Sequence, residues 1–192
     1  GLGVDSYALD TTIWDALSVE NLSAEQVVHA VRAGLDLIPA NDKLAMAEIE
    51  LIAEFRREFI LDRVLDPLES AYDMILIDCP PSLGILTTNA LCAAQEVLIP
   101  LQCEFFAMRG IRLLLGAIER VQQRLNPGLE IVGILATMYS TRTIHAREVL
   151  NETREVFGDK VFDVVVHKSI RFAEASVASQ AIVEYSGTHK GA

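Results

Sequence analysis

Four runs of strand length, "YDMILID", "EVLIPL", "LEIVGILATMY" and "KVFDVVV", recur along this chain, each separated from the next by a stretch with helical periodicity. This alternation constrains the fold more than any other feature. Parallel neighbours need a crossover connection, the ordinary crossover is a helix, and such helices cover the sheet on its faces. The runs are rich in Ile, Leu and Val rather than strictly alternating, as strands covered on both sides should be. Between them, "ILTTNALCAA" and "HAREVLNETREVF" read as helices. Ile111, Leu114, Ile118, Val121 and Leu125, at steps of three and four, mark one face of a long amphipathic helix that "NPG" ends. The expected class is α/β: a mostly parallel twisted sheet with helices on both faces, in three layers.

The first third is less regular. "GLGVDSYALDTT" has no periodicity, and a short helical piece follows around Ile13–Leu17. "SAEQVVHAV" reads as a helix opened by a capping box, Ser23 with Gln26 three residues on. Gly34 should stop it, and "LDLIPA" reads as a short strand. From Asn41 or Asp42 a helical pattern runs to about Leu65, as one helix or two. The tail after the last strand reads as loop with one short helical turn. No Pro- or Gly-rich linker interrupts the chain, and 192 residues suffice for one full core, so a single domain over 1–192 is expected.

Composition narrows the class. At 51% hydrophobic the chain is globular, and no run approaches the ~18 apolar residues of a membrane span. No basic-then-apolar leader opens it. Cys79, Cys92 and Cys103 are an odd number without metal spacing, which fits a reducing cytoplasm. The net charge of −11 is unevenly spread: residues 1–100 carry 5 Lys/Arg against 17 Asp/Glu, residues 101–192 carry 11 against 10. Such a chain is not drawn to nucleic acid as a whole, so any DNA contact needs a local basic patch in the second half or one made by assembly.

In parallel sheets, ligands bind beyond the carboxyl ends of the strands. Those ends are Asp78, Pro100 to Glu104, Thr137 to Thr143, and His167 to Arg171. Asp78 ends the run "MILI" and precedes Cys79, Pro80, Pro81, Ser82 and Gly84. An apolar strand ending on Asp is the Walker B arrangement, in which the carboxylate reaches the Mg²⁺ shell, usually through water. A carboxylate that merely caps a turn is the plainer alternative. The prolines fix φ in the loop, and Gly84 should let the chain turn before the next helix.

The string "YDMILIDCPPSLGILTTNALCAAQEVLIPLQCEFFAMRGIRLLL", with "GLDLIPAN", "LAMAEIEL", "LNPGLEIVGILATMYSTRT" and "GDKVFDVVVHKSIRFAEASVASQAIVEY", closely resembles the ParA/Soj family of chromosome and plasmid partition ATPases, nearly end to end. The resemblance implies a deviant-Walker P-loop fold that dimerises around two ATP molecules with Mg²⁺ and binds DNA without sequence preference. It implies a ParB-like partner at a centromere-like site that stimulates hydrolysis, a cytoplasmic, nucleoid-associated location and no membrane. By the same resemblance Asp78 is the Mg²⁺-side catalytic aspartate, and Cys79, Pro80, Pro81, Ser82 and Gly84 form a switch loop that senses the γ-phosphate.

The family's phosphate loop, of Gly-Gly-x-Gly-Lys-Thr type, has no counterpart: there is no Gly-Lys-Thr or Gly-Lys-Ser in the 192 residues. "GLG" at 1–3 resembles a stretch that follows that loop. The chain is therefore expected to lack the first βαβ unit, as a fragment or as a natural relative acting as a dimerising or partner-binding module, and to be unable to hydrolyse ATP alone. "HKGA" resembles the start of the family's last helix.

By the same resemblance Thr137 and Met138 should border the nucleotide base, although a core role suits Met138 as well. Arg142 should be exposed. "VHKSIRFAEA" resembles a family stretch that carries Pro, Arg and Asn where this chain has His167, Lys168 and Ser169, so His167 and Lys168 are candidate nucleotide contacts on an altered pocket. Arg171, Lys168 and Lys190 are candidate DNA-phosphate contacts, with an Arg171–Glu174 salt bridge as the rival for Arg171. A division-site-positioning relative of the MinD type is the alternative within the fold. The four histidines show no metal spacing, no Ser-His-Asp set is legible, and no Gly-x-Ser-x-Gly elbow surrounds Ser82. Beside Asp78, the Cys79 thiol should be a packed group and not a nucleophile.

Overall fold

The computed structural model describes residues 2–18, 22–104 and 107–187. They form two compact units: one built from 4–95 and 120–129, the other from 1–3, 96–119 and 130–192.

The first unit begins with α1 (Ile13–Leu17) and α2 (Ala24–Val27). Gln26 Oε1 accepts the backbone N–H of Ser23 at 2.9 Å, so the capping box is formed. The helix lasts one turn only, and its expected continuation is a strand. β1 (His29–Arg32) pairs antiparallel with β2 (Leu35–Leu37). β-Branched Val27 and Val28 and the turn at Gly34, with φ +75, favour the hairpin over a longer helix.

The helical pattern after Asn41 breaks into α3 (Leu44–Glu50) and α4 (Ile60–Leu65), joined by short 3₁₀ turns and a left-handed Arg56. The break is imposed from another element. Asn89 on α5 (Ile85–Ala93), only 1% exposed, accepts the N–H groups of Ile60 and Leu61, both at 3.0 Å, and so caps α4. Its amide donates to the carbonyls of Arg57 and Ile85. Leu17, Ala24, Ala47, Leu51, Leu61 and Ala90 form the core of this unit.

The run "MILI" is not a strand. Residues 74–80 carry no regular secondary structure, and Met74 and Leu76 are 73% and 87% exposed. A strand is completed by hydrogen bonds to a neighbour, and among the described residues none pairs with this segment. Ile77 alone of the run packs against the core.

The second unit holds the parallel sheet. β3 (Glu96–Gln102), β4 (Glu130–Tyr139) and β5 (Val161–His167) lie in the order β3-β4-β5, with both pairings parallel. The crossovers are α6 (Ala107–Arg124) and α7 (Ile144–Phe157), as the sequence requires. Ile99, Leu101, Ile134, Ala136 and Val161 are buried, and so are Ile111 and Ile118 of α6. The tail forms two short helices, α8 (Arg171–Val177) and α9 (Ile182–Tyr185), where one turn was expected. The α/β class with a parallel sheet is therefore the observed one.

Candidate functional site

Asp78 belongs to the first unit. Its carboxylate is exposed, and no hydrogen bond or ion pair holds it among the described residues. A single free carboxylate suits Mg²⁺, which keeps most of its water and takes one or two protein carboxylates. Among the described residues no three His, Cys, Asp or Glu side chains gather into a metal cage. The donors present thus fit the ion's outer shell, whereas no lysine–hydroxyl motif for a phosphate cradle occurs in the sequence.

Downstream of Asp78, Cys79 Sγ lies 3.8 Å from the Ile77 carbonyl. Burial of the sulfur, and then the Asp78 carboxylate, hold the thiol above its ordinary pKa. Pro80 and Pro81 offer no N–H. The end of the loop is tied to the helix that follows: Thr87 Oγ1 donates to the Ser82 carbonyl and Thr88 Oγ1 to the Gly84 carbonyl at 3.0 Å. Gly84 is not there for its backbone freedom. Its φ of −81 and ψ of −166 are open to any residue. The need is steric, because a Cβ at this position would fall on Glu48 Oε1.

The second unit supplies a strand-end edge. Gln102 pairs with Thr137, and Tyr139 with His167, so the carboxyl ends of β3, β4 and β5 lie side by side. The Cys103 N–H donates to the Thr137 carbonyl at 3.5 Å, and the Lys168 N–H to the Tyr139 carbonyl at 2.9 Å. Thr137 and His167 are half-buried, while Met138, Arg142 and Lys168 are exposed. Met138 has φ +51, a left-handed conformation costly for a side chain of its size, at a register shift between β4 and β5. Strain of this kind, on the order of 1–3 kcal/mol, gathers at functional edges. The Tyr139 and His167 rings stand 5.7 Å apart at 59°. Tyr139, at the end of β4 beside His167, is an edge residue that sequence reading passed over beside Thr137 and Met138. A cleft of about 500 Å³ between β3 and α6 opens at Gln102 and Glu104, whose side chains are bonded at 2.8 Å.

Arg171 begins α8, and its Nη1 lies 3.2 Å from Glu174 Oε2. The pair is 50% and 38% exposed, so it is worth little and leaves the guanidinium open to an anion. Lys190 lies outside the described residues.

Residues 1–131 match the family described as AAA domain. A chromosome partitioning protein ParA of Myxococcus xanthus is 42% identical over all of this chain and 68% of its own length. The chain belongs to the ParA/Soj family. The sporulation initiation inhibitor protein Soj of Bacillus subtilis is 40% identical over all of this chain and 76% of its own. An uncharacterized protein of Mycobacterium tuberculosis is 46% identical, and of that relative's length the chain spans 61%. Among solved structures, a cobyrinic acid a,c-diamide synthase of Mycobacterium smegmatis with bound ATP analogue and magnesium superposes with TM-score 0.81 at 36% identity, over 97% of this chain and 78% of that one. The Cyanothece McdA–ATP complex, at TM-score 0.86 and 18% identity over 96% and 73%, shares the fold.

Proposed function

We propose that this protein is a partition ATPase: it binds Mg-ATP, dimerises around two nucleotides, holds DNA without sequence preference and answers to a ParB-like partner, on the nucleoid in the cytoplasm. The observation that carries this reading is the match over the whole chain, at 40–42% identity, to a ParA and a Soj protein. The ATP analogue and magnesium in the 36%-identical synthase support the nucleotide class. Among the described residues no helix is long and apolar enough to cross a membrane.

When bound, Mg²⁺ neutralises charge developing on the transferred phosphoryl group. Asp78 would hold a water of the ion's shell. Cys79 to Gly84 would form the loop that senses the γ-phosphate, with the prolines stiffening it and the backbone N–H groups of Ser82, Leu83 and Gly84 turned to the phosphate. Thr137 and Met138, with His167 and Lys168, would border the base. Arg171, Lys168 and Lys190 would meet DNA phosphates.

A non-catalytic dimerising or partner-binding module is the second reading, favoured by the lack of a Gly-Lys-Thr or Gly-Lys-Ser motif in these 192 residues. Titration with Mg-ATP separates the two. The ATPase reading expects a dissociation constant of about 1–100 μM, or roughly 5–8 kcal/mol of binding, for the protein as its gene encodes it. It also expects no measurable turnover by the 192-residue chain alone. Absence of nucleotide binding in both would leave the module.

A further inference from the structure

Glu48, on α3, has one carboxylate oxygen, Oε1, that is buried and has no hydrogen-bond partner among the described residues. An oxygen so placed is costly to desolvate unless a donor reaches it in some state of the protein. Its neighbour is the loop that follows Asp78. The Cβ position of Gly84 falls on Oε1, and Ser82 Oγ is 3.7 Å from that same point. Among the described residues, the backbone N–H groups of Ser82, Leu83 and Gly84 donate no hydrogen bond. An acceptor without a donor and donors without an acceptor therefore adjoin within one unit. The loop's carbonyls at Ser82 and Gly84 are already taken by Thr87 and Thr88 of α5.

We propose that Glu48 is a positioning residue for the 80–84 loop. Its Oε1 accepts a backbone N–H, or the Ser82 hydroxyl, when the loop closes over nucleotide, and this bond fixes the loop relative to Asp78. A charged acceptor makes the stronger kind of hydrogen bond, and a small displacement of the loop suffices to form it. Glycine at 84 is what lets the carboxylate come this close. The proposal rests on the ATPase reading, and it assigns to α3 the support of a loop on which that reading depends.

The test is steady-state ATP hydrolysis, with Mg-ATP binding measured separately, on the protein as its gene encodes it. Glu48→Gln keeps an accepting oxygen; Glu48→Met fills the same space without one. If the oxygen acts on the closed loop, E48M lowers kcat about tenfold or more with the dissociation constant for Mg-ATP held within about twofold, and E48Q stays within about threefold of the parent. Gly84→Ala, which displaces the carboxylate, should reproduce the E48M loss, and it carries the test if E48M does not fold. A role in packing alone would leave E48M as active as E48Q. Parental kcat in E48M and G84A, or equal losses in E48Q and E48M, would overturn the proposal while the ATPase reading stood. A parent that neither binds nor hydrolyses Mg-ATP would overturn both.

Discussion

Cys79 and Asp78 are adjacent, and each alters what the other can do. Partial desolvation of the sulfur raises the thiol pKa above its ordinary value, and the Asp78 carboxylate raises it further. Only the thiolate is a nucleophile, so at neutral pH Cys79, a residue reagents can reach although its sulfur is partly desolvated, should alkylate more slowly than a free thiol. The sign follows from the charge: a carboxylate beside a forming thiolate penalises it. We expect the rate of iodoacetamide labelling at Cys79, followed by mass spectrometry, to climb with a midpoint above that of a free cysteine thiol. Asp78→Asn should bring that midpoint down only in part, because burial is the larger cause. A midpoint at or below that of a free thiol, or one indifferent to the Asn substitution, would count against the placement of the two groups. Buried Cys92, its thiol pushed up to about 11, serves as the slow internal reference.

Between α4 and α5 the decisive group is one side chain that no periodicity reveals. Asn89 gives two acceptor bonds to the start of α4 and two donor bonds to the carbonyls of Arg57 and Ile85. Asn89→Ala would strand these partners out of reach of solvent, at a cost of about 2–4 kcal/mol. Chemical denaturation should show a lower midpoint with an unchanged slope. A shift under about 0.5 kcal/mol, the size of an ordinary surface substitution, would mean that water replaces the amide. The elements divide by the same logic in how far they were legible. β3, β4, β5, α6 and α7 were readable because their burial pattern is written locally, as with Ile111 and Ile118. The break after α3 was not, because its cause lies on α5, nearly thirty positions away. The run "MILI" misled for the opposite reason: an apolar run can specify a strand only where a neighbour completes its hydrogen bonds, and the run itself does not say whether one is there. The candidate site follows the same division. Asp78 and the Thr137–Met138 edge are candidates from motif and strand end alone, whereas the strained φ of Met138 and the Tyr139–His167 pair depend on a register shift.

At the scale of the whole molecule, charge sets the terms on which DNA can bind. A chain of net charge −11 repels a polyanion at long range, and the negative charge lies in residues 1–100, with 5 Lys/Arg against 17 Asp/Glu. Residues 101–192 are close to neutral, so a few cations placed together there could hold phosphates while the remainder stays indifferent. Arg171 is the sharpest candidate, since its guanidinium pairs with Glu174, an exposed and weak partner. Each phosphate contact contributes about 0.9 to the slope of log affinity against log salt. For the ATP-loaded protein, Arg171→Glu should reduce that slope by about one per protomer or more and weaken binding alike on every sequence, with Mg-ATP affinity unchanged. Filter binding or anisotropy over a salt series on two unrelated duplexes reads both effects together. If the slope and the affinity survive the charge reversal, Arg171 serves Glu174 alone, and the contact must be sought at Lys168 or in an assembly of more than one chain. If only one of the two duplexes is affected, the interaction is reading bases rather than phosphates, which sequence-independent binding does not allow.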